Sequence, residues 1–265
     1  YVNRALDRLE RRDDRRPFFL YMGTIGMHQP FVPPQIHWDL FKDRDMPEPA
    51  VGAWAEKHAA LAEEPLQMSV LWRGKLPDHL RRRAQIGYYA YLAYVDEQIG
   101  RLLQGIQAMR LLDNTLVVIA GDHGEMLGDH HLWQKCCAYE GAAHVPLIVR
   151  PPLSWDVPRN VQCDLVAGLE DIMPTMLETA GAEIPAQVTG RSLLPALKGD
   201  TTAPWRDYYH GCSGPNYSPD NAMQYVTDGK WKFIWKPLTD EKFFFHLETD
   251  PQELHDLIDD PGAAD

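Results

Sequence analysis

Three features are missing from this chain of 265 residues: a long apolar run, paired cysteines and a metalloprotease helix motif. No apolar stretch reaches about 18 residues, so no membrane span is expected. The four cysteines form no Cys-x-x-Cys pair, which argues against a structural zinc site and favours incidental or reduced thiols. The spacing His-Glu-x-x-His is absent, which excludes a zincin helix.

The start of the chain also lacks an initiator methionine and a signal-peptide pattern. The first residues are Tyr1-Val2-Asn3-Arg4, with no charged leader and no apolar leader. We therefore expect the sequence to be cut at its beginning. The sequence does not determine the compartment, which could be periplasmic, secreted or cytoplasmic. It does not determine the oligomeric state either.

Positive charge is scarce relative to negative charge. Lysine and arginine number 26 against 38 acidic residues, a formal charge of −12, which argues against nucleic acid or an anionic membrane as partner. A small anionic substrate is still compatible, because the local field matters more than the net charge. With 45% hydrophobic and 24% charged residues, the composition is typical of a globular protein.

Strand and helix patterns alternate along the first 200 residues. Apolar runs at 18–22, 116–120 and 145–149 predict buried strands. Apolar residues at helical spacing predict helices at 82–109 and 166–180. This alternation predicts an α/β fold, a mainly parallel sheet flanked by helices on both faces.

Two other stretches have a different character. Seven prolines fall between residues 26 and 79, which predicts an irregular connection, and irregular connections of this length are often functional. After about residue 199, short aromatic and β-branched runs predict a small antiparallel sheet, with Asp228-Gly229 as a hairpin signal. We predict two domains, 1–200 and 201–265.

The segment from Gly121 to Lys135 is the most informative part of the sequence. It follows the predicted strand at 116–120, and loops after strands of α/β sheets commonly hold ligand chemistry. Asp122 and His123 are both able to ligate a cation. The alternative is a carboxylate that caps a turn next to a histidine satisfied by its neighbours.

Two further side chains are candidates for contact with an anion. Lys135 is a point charge for a tetrahedral oxyanion, or a solvated surface lysine. His28 follows the predicted strand at 18–22 and is a candidate general acid or oxyanion donor, or a plain loop histidine.

Some of the neighbouring polar residues are candidates for orienting these side chains, and the alternative for the others is a plain polar position in the loop. These polar residues are Glu125, Asp129, His130, His131, Glu140 and His144. Cys136 and Cys137 lie beside a cation, which would lower a thiol pKa, but no Cys-His arrangement is evident and we favour packing.

These residues together resemble the sulfatases of the alkaline phosphatase superfamily. The segment 121–152 resembles the metal-loop signature of that family, and 18–34 its strand and His-x-Pro loop, here His28-Gln29-Pro30. Further similarities lie at 171–177, 180–181, 190–193, 229–234 and 246–254. They follow the order of the family and cover nearly the whole chain.

The resemblance implies an alkaline-phosphatase-like fold that is incomplete at its N-terminus. Asp122 and His123 would be two ligands of one divalent cation, usually Ca²⁺, with Mg²⁺ or Mn²⁺ as alternatives. Lys135 and His28 would contact the sulfate group and its bridging oxygen. The substrate would be a small-molecule or saccharide sulfate ester.

The sequence departs from the family at the nucleophile. The family forms a formylglycine hydrate within Cys/Ser-x-Pro-x-Arg, and neither this motif nor the N-terminal pair of metal-binding aspartates occurs here. Both belong before the matched part. We therefore expect a C-terminal portion that lacks about 150 to 200 residues of a larger domain.

Two alternatives to a sulfatase stay open at this level. A phosphate or phosphonate monoester hydrolase of the same superfamily is one, because both anions are tetrahedral. A catalytically inactive binding module is the other.

Overall fold

The computed structural model describes residues 1–63, 71–200, 202–214 and 219–263. The α-helices are α1 (Val2–Glu10), α2 (Gln35–Phe41), α3 (Asp78–Ala108), α4 (Glu140–Ala143), α5 (Ile172–Thr179) and α6 (Leu194–Leu197). The strands are β1 (Leu71–Arg73), β2 (Val117–Ala120), β3 (Leu132–Gln134), β4 (Leu147–Arg150), β5 (Tyr209–Ser213), β6 (Met223–Thr227), β7 (Trp231–Lys236) and β8 (Glu241–His246). Short 3₁₀ helices occupy Ala53–Glu63, Leu112–Asn114, Asp129–His131, Leu169–Asp171, Pro219–Asn221 and Pro261–Ala263.

The chain divides into two compact units. The first comprises Tyr1–Glu48, Pro77–Val117 and Pro151–Trp155, and the second comprises Pro49–Leu76, Val118–Arg150 and Asp156–Asp265. The division predicted at residue 200 from composition stays a prediction. Among the described residues, no helix combines the length and apolarity needed to cross a membrane.

In the first unit, α1 and α2 each pack against the long helix α3. Leu9, Ile106 and Leu112 form its buried apolar cluster. The predicted helix at 82–109 is confirmed and begins earlier, at Asp78, because Pro77 is tolerated at a helix start and an acidic first turn suits the helix dipole.

The predicted strand at 18–22 is wrong for the described structure. The segment forms no strand there, although burial alternates along it. Phe18 and Leu20 pack against the cluster of the first unit, whereas Phe19 and Tyr21 are exposed. Apolar residues favour an extended chain, but a strand is defined by a hydrogen-bonded neighbour, and no described segment pairs with this one.

The segment 26–79 is less irregular than its prolines predict. It contains α2, the 3₁₀ helix Ala53–Glu63 and β1, while its residues 64–70 lie outside the described residues. Pro34 is the N-terminal cap residue of α2, just as Pro77 is for α3. These prolines therefore start helices, where the missing N–H is harmless, instead of breaking them.

The described strand pairs lie in the second unit, apart from Val117, the first residue of β2, which belongs to the first. The predicted strands at 116–120 and 145–149 are confirmed as β2 and β4, which pair with each other, while β1 pairs antiparallel with β3. The predicted small sheet is confirmed as four antiparallel strands in the order β5-β6-β7-β8.

The Asp228-Gly229 turn joins β6 to β7 as its composition predicts. Gly229 has a φ of +88°, a conformation that L side chains rarely adopt. The Asp228 carboxylate accepts hydrogen bonds from the backbone N–H groups of Lys230 and Trp231 at 2.8 and 2.6 Å. The turn residues therefore fix the register of the hairpin.

One aromatic-rich core stabilises the second unit. Tyr139, Phe243, Phe245 and Ile234 are fully or almost fully buried, and the Trp54 ring packs against the first three. This cluster places the small sheet against the segment that follows Lys135 and directly precedes α4.

The helix predicted at 166–180 begins three residues late, at Leu169, and continues as α5. The cause is Asp171, a fully buried carboxylate that accepts the N–H groups of Gly168 and Arg191 at 2.8 and 2.7 Å. Arg206 also binds both of its oxygens. The predicted stop at Gly181 is confirmed by a φ of +68°.

Two buried histidines lie close together in the second unit. His58 donates from Nδ1 to the backbone oxygen of His130 at 3.1 Å, and the His130 Nδ1 accepts the Gly52 N–H at 3.3 Å. Burial, above all, lowers the pKa of each ring to about 4. Both histidines are therefore neutral near pH 7.

We expect Asp171→Ala to lower the free energy of unfolding by about 3 to 5 kcal/mol, because two backbone N–H groups lose their acceptor and the mostly buried Arg206 loses its closest carboxylate. Urea denaturation at pH 7 measures this. Asp7→Ala is the control, since Asp7 forms an exposed ion pair with Arg11 and should change stability by about 1 kcal/mol at most. Equal losses for the two variants would contradict the assignment.

We expect stability to fall as the pH drops from about 6.5 towards 4. The folded-state pKa of His58 and His130 lies below the ordinary 6.5, so the unfolded chain binds these protons first. Each pKa unit corresponds to about 1.4 kcal/mol. Urea midpoints across this range measure the slope, and His58→Asn should flatten it. An unchanged slope in that variant would contradict the prediction.

Candidate functional site

The candidate site is built on the loop that leaves β2. The Gly121 N–H donates to the Pro146 oxygen at 3.2 Å, which joins the end of β2 to the beginning of β4. Asp122 and His123 directly follow Gly121 in the chain. Their backbone position is therefore set by the end of β2. The sequence predicts this position correctly, because it follows from the apolar run that precedes it.

The two candidate metal ligands are neighbours in space. The His123 Nδ1 lies 2.8 Å from the Gly124 carbonyl oxygen, which only accepts, so Nδ1 carries the proton and Nε2 the lone pair. This Nε2 lies 3.9 Å from the Asp122 Oδ2. Bonds of about 2.0 to 2.6 Å to a cation allow one ion to contact both atoms.

The pair fits part of a coordination shell. The Asp122 side chain is 92% exposed and that of His123 32%, so solvent and an ion reach them. Carboxylate oxygen and imidazole nitrogen are both metal donors, and a histidine held by a backbone carbonyl is typical of metal sites. Within the described residues, however, no group of three or more His, Cys, Asp or Glu side chains is placed to hold a metal.

Gly124 holds the loop against α4. Its N–H donates to the Ala142 oxygen at 2.8 Å. A Cβ atom at Gly124 would lie 2.1 Å from the Gly141 oxygen, which is a clash with backbone. Glycine is therefore required here by close approach, and the residue after His123 is fixed to α4.

Glu125 closes the loop from the inside. One carboxylate oxygen accepts the backbone N–H of Leu127 at 3.2 Å and that of Gln134, which directly precedes Lys135. Burial raises the pKa of Glu125, and the two N–H groups and the charges of Lys135 and His123 partly oppose this rise. The carboxylate thus links the metal-ligand end of the loop to its lysine end.

The backbone of this loop is unusual. Five non-glycine residues have positive φ angles between 49 and 74°: Leu127, His130, His131, Gln134 and Cys136. Each such residue costs on the order of 1 kcal/mol or more and persists only where surrounding contacts determine it. The hydrogen bonds of Glu125 and Gly124 are contacts that stabilise this backbone conformation.

Lys135 lies within electrostatic reach of both Glu125 and Cys136. Burial raises the pKa of the Cys136 thiol even so, and it raises the pKa of Cys137 to about 12. Both thiols are therefore protonated at neutral pH, which supports packing instead of nucleophilic catalysis. All four cysteines are free.

His28 belongs to the first unit, whereas Asp122, His123 and Lys135 belong to the second. His28 is half-buried, its N–H donates to the Ile25 oxygen at 3.1 Å, and its Nδ1 lies 2.8 Å from the Gln29 oxygen. Because a carbonyl only accepts, Nδ1 is the protonated nitrogen in this contact.

The remaining polar candidates fall into two groups. Asp129 and His130 make contacts within the second unit, and Glu140 lies next to the charged side chains of His144 and Lys232. Asp129 accepts the Ala50 N–H at 2.8 Å, and His130 is buried against Trp54. Although burial opposes it, hydrogen bonds from His144 and Lys232 lower the pKa of Glu140 to about 2. Glu140 is therefore ionised.

Sequence reasoning missed Lys232 and Glu253. Lys232 lies on β7 at a position where side chains alternate inward, and it forms ion pairs with Glu140 and Glu253. A charged residue at an inward position of a strand was the available signal. The sequence does not show which buried carboxylates it meets.

Two family models match the chain. The model described as Sulfatase matches residues 1–182, and the model described as N-sulphoglucosamine sulphohydrolase, C-terminal, matches residues 128–265. The first covers the loop from Gly121 to Lys135 and also His28. The second covers the small sheet that contains Lys232.

Two relatives have similar sequences over almost the whole chain. An arylsulfatase of Clostridium perfringens is 37% identical over 97% of this chain and 52% of its own length. A choline-sulfatase of Rhizobium meliloti is 32% identical over 100% of this chain and 51% of its own length. The chain thus spans about half the length of these relatives.

Solved structures share the fold. A protein in complex with its substrate D-glucosamine-2-N,6-O-disulfate superposes with a TM-score of 0.79 at 23% identity, over 99% of this chain and 65% of that chain. The phosphonate monoester hydrolase of Agrobacterium radiobacter gives 0.82 at 24% identity, over 99% and 56%. These likenesses confirm the alkaline-phosphatase-like α/β fold predicted from the sequence.

We expect Glu125→Ala to lower the free energy of unfolding by about 1 to 3 kcal/mol, because two backbone N–H groups lose their acceptor. Hydrogen exchange should also speed up in peptides covering 124–135. Glu125→Gln keeps an acceptor oxygen and should have a smaller effect. Asp7→Ala, at an exposed ion pair with Arg11 in the first unit, is the control. If the amides of 124–135 exchange as slowly in Glu125→Ala as in the wild type, the carboxylate does not hold the loop.

Proposed function

The chain belongs to the sulfatase family, and we propose from this that it carries part of the active site of a sulfuric ester hydrolase acting on sulfate monoesters. The observation that carries the proposal is the Asp122–His123 pair, whose Oδ2 and Nε2 atoms lie 3.9 Å apart on the loop that ends at Lys135. That loop lies within the part matched by the family model.

Asp122 and His123 would hold one divalent cation, Ca²⁺ first, with Mg²⁺ or Mn²⁺ as alternatives. A hard cation suits the carboxylate, and the exposure of Asp122 allows further oxygen ligands from outside this pair. When bound, the cation would withdraw charge from a sulfate oxygen. The hydrogen bond from His123 Nδ1 to the Gly124 oxygen would leave the lone pair of Nε2 available to the ion.

Lys135 would act as a fixed positive charge on the sulfate group. Its neighbour Gln134 is held through the backbone by Glu125, so the start of the lysine side chain has a defined position. An ammonium group stabilises charge that grows on the sulfate oxygens as the ester bond breaks.

His28 would supply a proton to the bridging oxygen of the leaving alcohol. Its Nδ1 proton is engaged with Gln29, so the acid would be the Nε2 proton of the charged ring. An alcohol leaves more easily as a neutral molecule than as an alkoxide, which is the reason for a general acid here.

The nucleophile is not among these residues. No Cys/Ser-x-Pro-x-Arg motif occurs in the sequence, and the thiols of Cys136 and Cys137, which follow Lys135, are protonated. We therefore propose that the 265 residues alone do not turn over a sulfate ester. The substrate class we propose is a small-molecule or saccharide sulfate ester, supported by the sulfohydrolase model over 128–265.

A phosphate or phosphonate monoester hydrolase is the second candidate. It is favoured by one observation, the likeness in fold to the phosphonate monoester hydrolase of Agrobacterium radiobacter. A cation and a lysine would bind either tetrahedral anion.

A chimaera tests the proposal. It joins the residues that precede the matched part of the Clostridium perfringens arylsulfatase to this chain. We expect it to hydrolyse 4-nitrophenyl sulfate, while the 265-residue chain alone does not. Asp122→Ala and Lys135→Ala should each lower kcat/KM of the chimaera by about 100-fold or more, because each removes charge stabilisation of the transition state.

The matched control is Lys42→Ala, at an exposed lysine of the first unit, which should leave the rate unchanged. An active chimaera indifferent to Asp122 and Lys135 would show that the site lies elsewhere. Faster hydrolysis of a 4-nitrophenyl phosphonate ester than of the sulfate would favour the second candidate.

A further inference from the structure

Lys232 and Glu253 are charged residues in the interior of the second unit, each only 1% exposed. The Lys232 Nζ lies 2.7 Å from the Glu140 Oε1 and 3.1 Å from the Glu253 Oε1. We call Glu140, Lys232 and Glu253 the ion triad. Groups of this kind are almost never fully buried unless they are paired.

The ion triad has two further neighbours. His144 lies with its Nδ1 2.7 Å from the second oxygen of Glu140, and the Lys232 ammonium lies 5.5 Å from the centre of the Tyr225 ring. Burial opposes the charge of Lys232, but the two carboxylates outweigh it and raise its pKa. Lys232 is therefore charged near neutral pH.

Stability alone does not account for such a cluster. Apolar residues of similar volume often stabilise a core as well as a buried ion pair does, whereas one partner left alone is strongly destabilising. The buried cluster beside the ion triad consists of apolar side chains such as Ile234, Phe243 and Phe245, and Lys236 of β7 is a further buried charge. The ion triad makes directed contacts to a neighbouring segment, the start of α4. An apolar core would lack such contacts.

Those contacts lead to the candidate metal ligands. The second oxygen of Glu253 accepts the backbone N–H of Glu140, the first residue of α4, at 2.8 Å. Two residues along α4, the Ala142 oxygen accepts the Gly124 N–H at 2.8 Å. Gly124 also touches Gly141 so closely that no side chain fits between them.

We propose that Lys232 and Glu253 are positioning residues for the metal site. Charge pairing holds Glu253 in place, Glu253 holds the start of α4, and α4 holds Gly124 and with it Asp122 and His123. The proposal rests on the proposed role of Asp122 and His123 as ligands. It assigns Lys232 of the small C-terminal sheet a part in aligning Asp122 and His123, which lie more than 100 residues earlier in the chain.

Three variants separate alignment from stability. Lys232→Met leaves the buried Glu253 carboxylate without its cation and removes one of the two cations beside Glu140, so it should destabilise the chain. Lys232→Met/Glu253→Met replaces one charge of each sign by apolar side chains and should regain much of the loss. Lys230→Met is the matched control, because Lys230 forms a solvent-exposed pair with Glu248 close to the start of the same strand.

Two measurements are made on the 265-residue chain. The first is amide hydrogen exchange in a peptide covering 121–126, compared with the midpoint of urea unfolding. The second is binding of terbium as a probe for calcium, with Asp122→Asn as the variant that removes a ligand. Amide hydrogen exchange does not require a bound metal. It therefore reports on how firmly residues 121–126 are held even if no metal binds.

We expect the double variant to unfold near the wild-type midpoint yet to exchange faster at 121–126 and to bind terbium about 10- to 100-fold more weakly, the usual effect of losing an outer partner of a metal ligand. Lys230→Met should match the wild type in both. Unchanged exchange at 121–126 in the double variant would overturn the proposal.

A further pair covers the case in which the double variant does not fold. Glu253→Leu removes the acceptor for the Glu140 N–H while Lys232 stays paired with Glu140, and Glu253→Gln restores an acceptor oxygen. Faster exchange in Glu253→Leu that is recovered in Glu253→Gln supports positioning, and identical exchange in the two overturns it. Failure of the wild type to bind terbium would count only against the metal assignment.

Discussion

The candidate site depends on one backbone contact, that of Gly124 with α4. The Gly124 N–H donates to the Ala142 oxygen, and its Cα approaches the Gly141 oxygen too closely for any side chain. Because this contact directly follows His123, it determines where the imidazole and the neighbouring carboxylate begin. A contact made by backbone is difficult to adjust, so the elements on either side of it must be held in place independently.

Buried charge holds both sides of that contact. On one side, Glu125 binds the backbone N–H groups of Leu127 and Gln134 and so connects the ligand pair to the residue before Lys135. On the other side, Glu253 and Lys232 hold the start of α4. Buried carboxylates with backbone donors are stiff and directional, whereas apolar contacts allow sliding. The strained backbone between residues 127 and 136 is stable only with such support.

Sequence patterns predicted elements correctly where the signal is local. The helical spacing of apolar residues predicted α3, and Asp228-Gly229 predicted the hairpin between β6 and β7, because propensity and turn chemistry act over a few residues. The prediction failed at 18–22, where an apolar run has the alternation of a strand but no described neighbour to pair with. The start of the 166–180 helix moved because the side chain of Asp171 binds the N–H of Gly168.

The sequence by itself determined the family, the class of fold and the residue types of the candidate site, since Asp122, His123 and Lys135 follow a recognisable strand in a recognisable order. Only the tertiary structure decided how these residues are held. The sequence indicates Glu125 only as a polar neighbour of the site, and Lys232 and Glu253 are ordinary charged residues in it; the partners of all three are known only once the chain is folded. The physical reason is burial, because a charge becomes directional and rigid only where water is excluded and the surrounding fold supplies its partners.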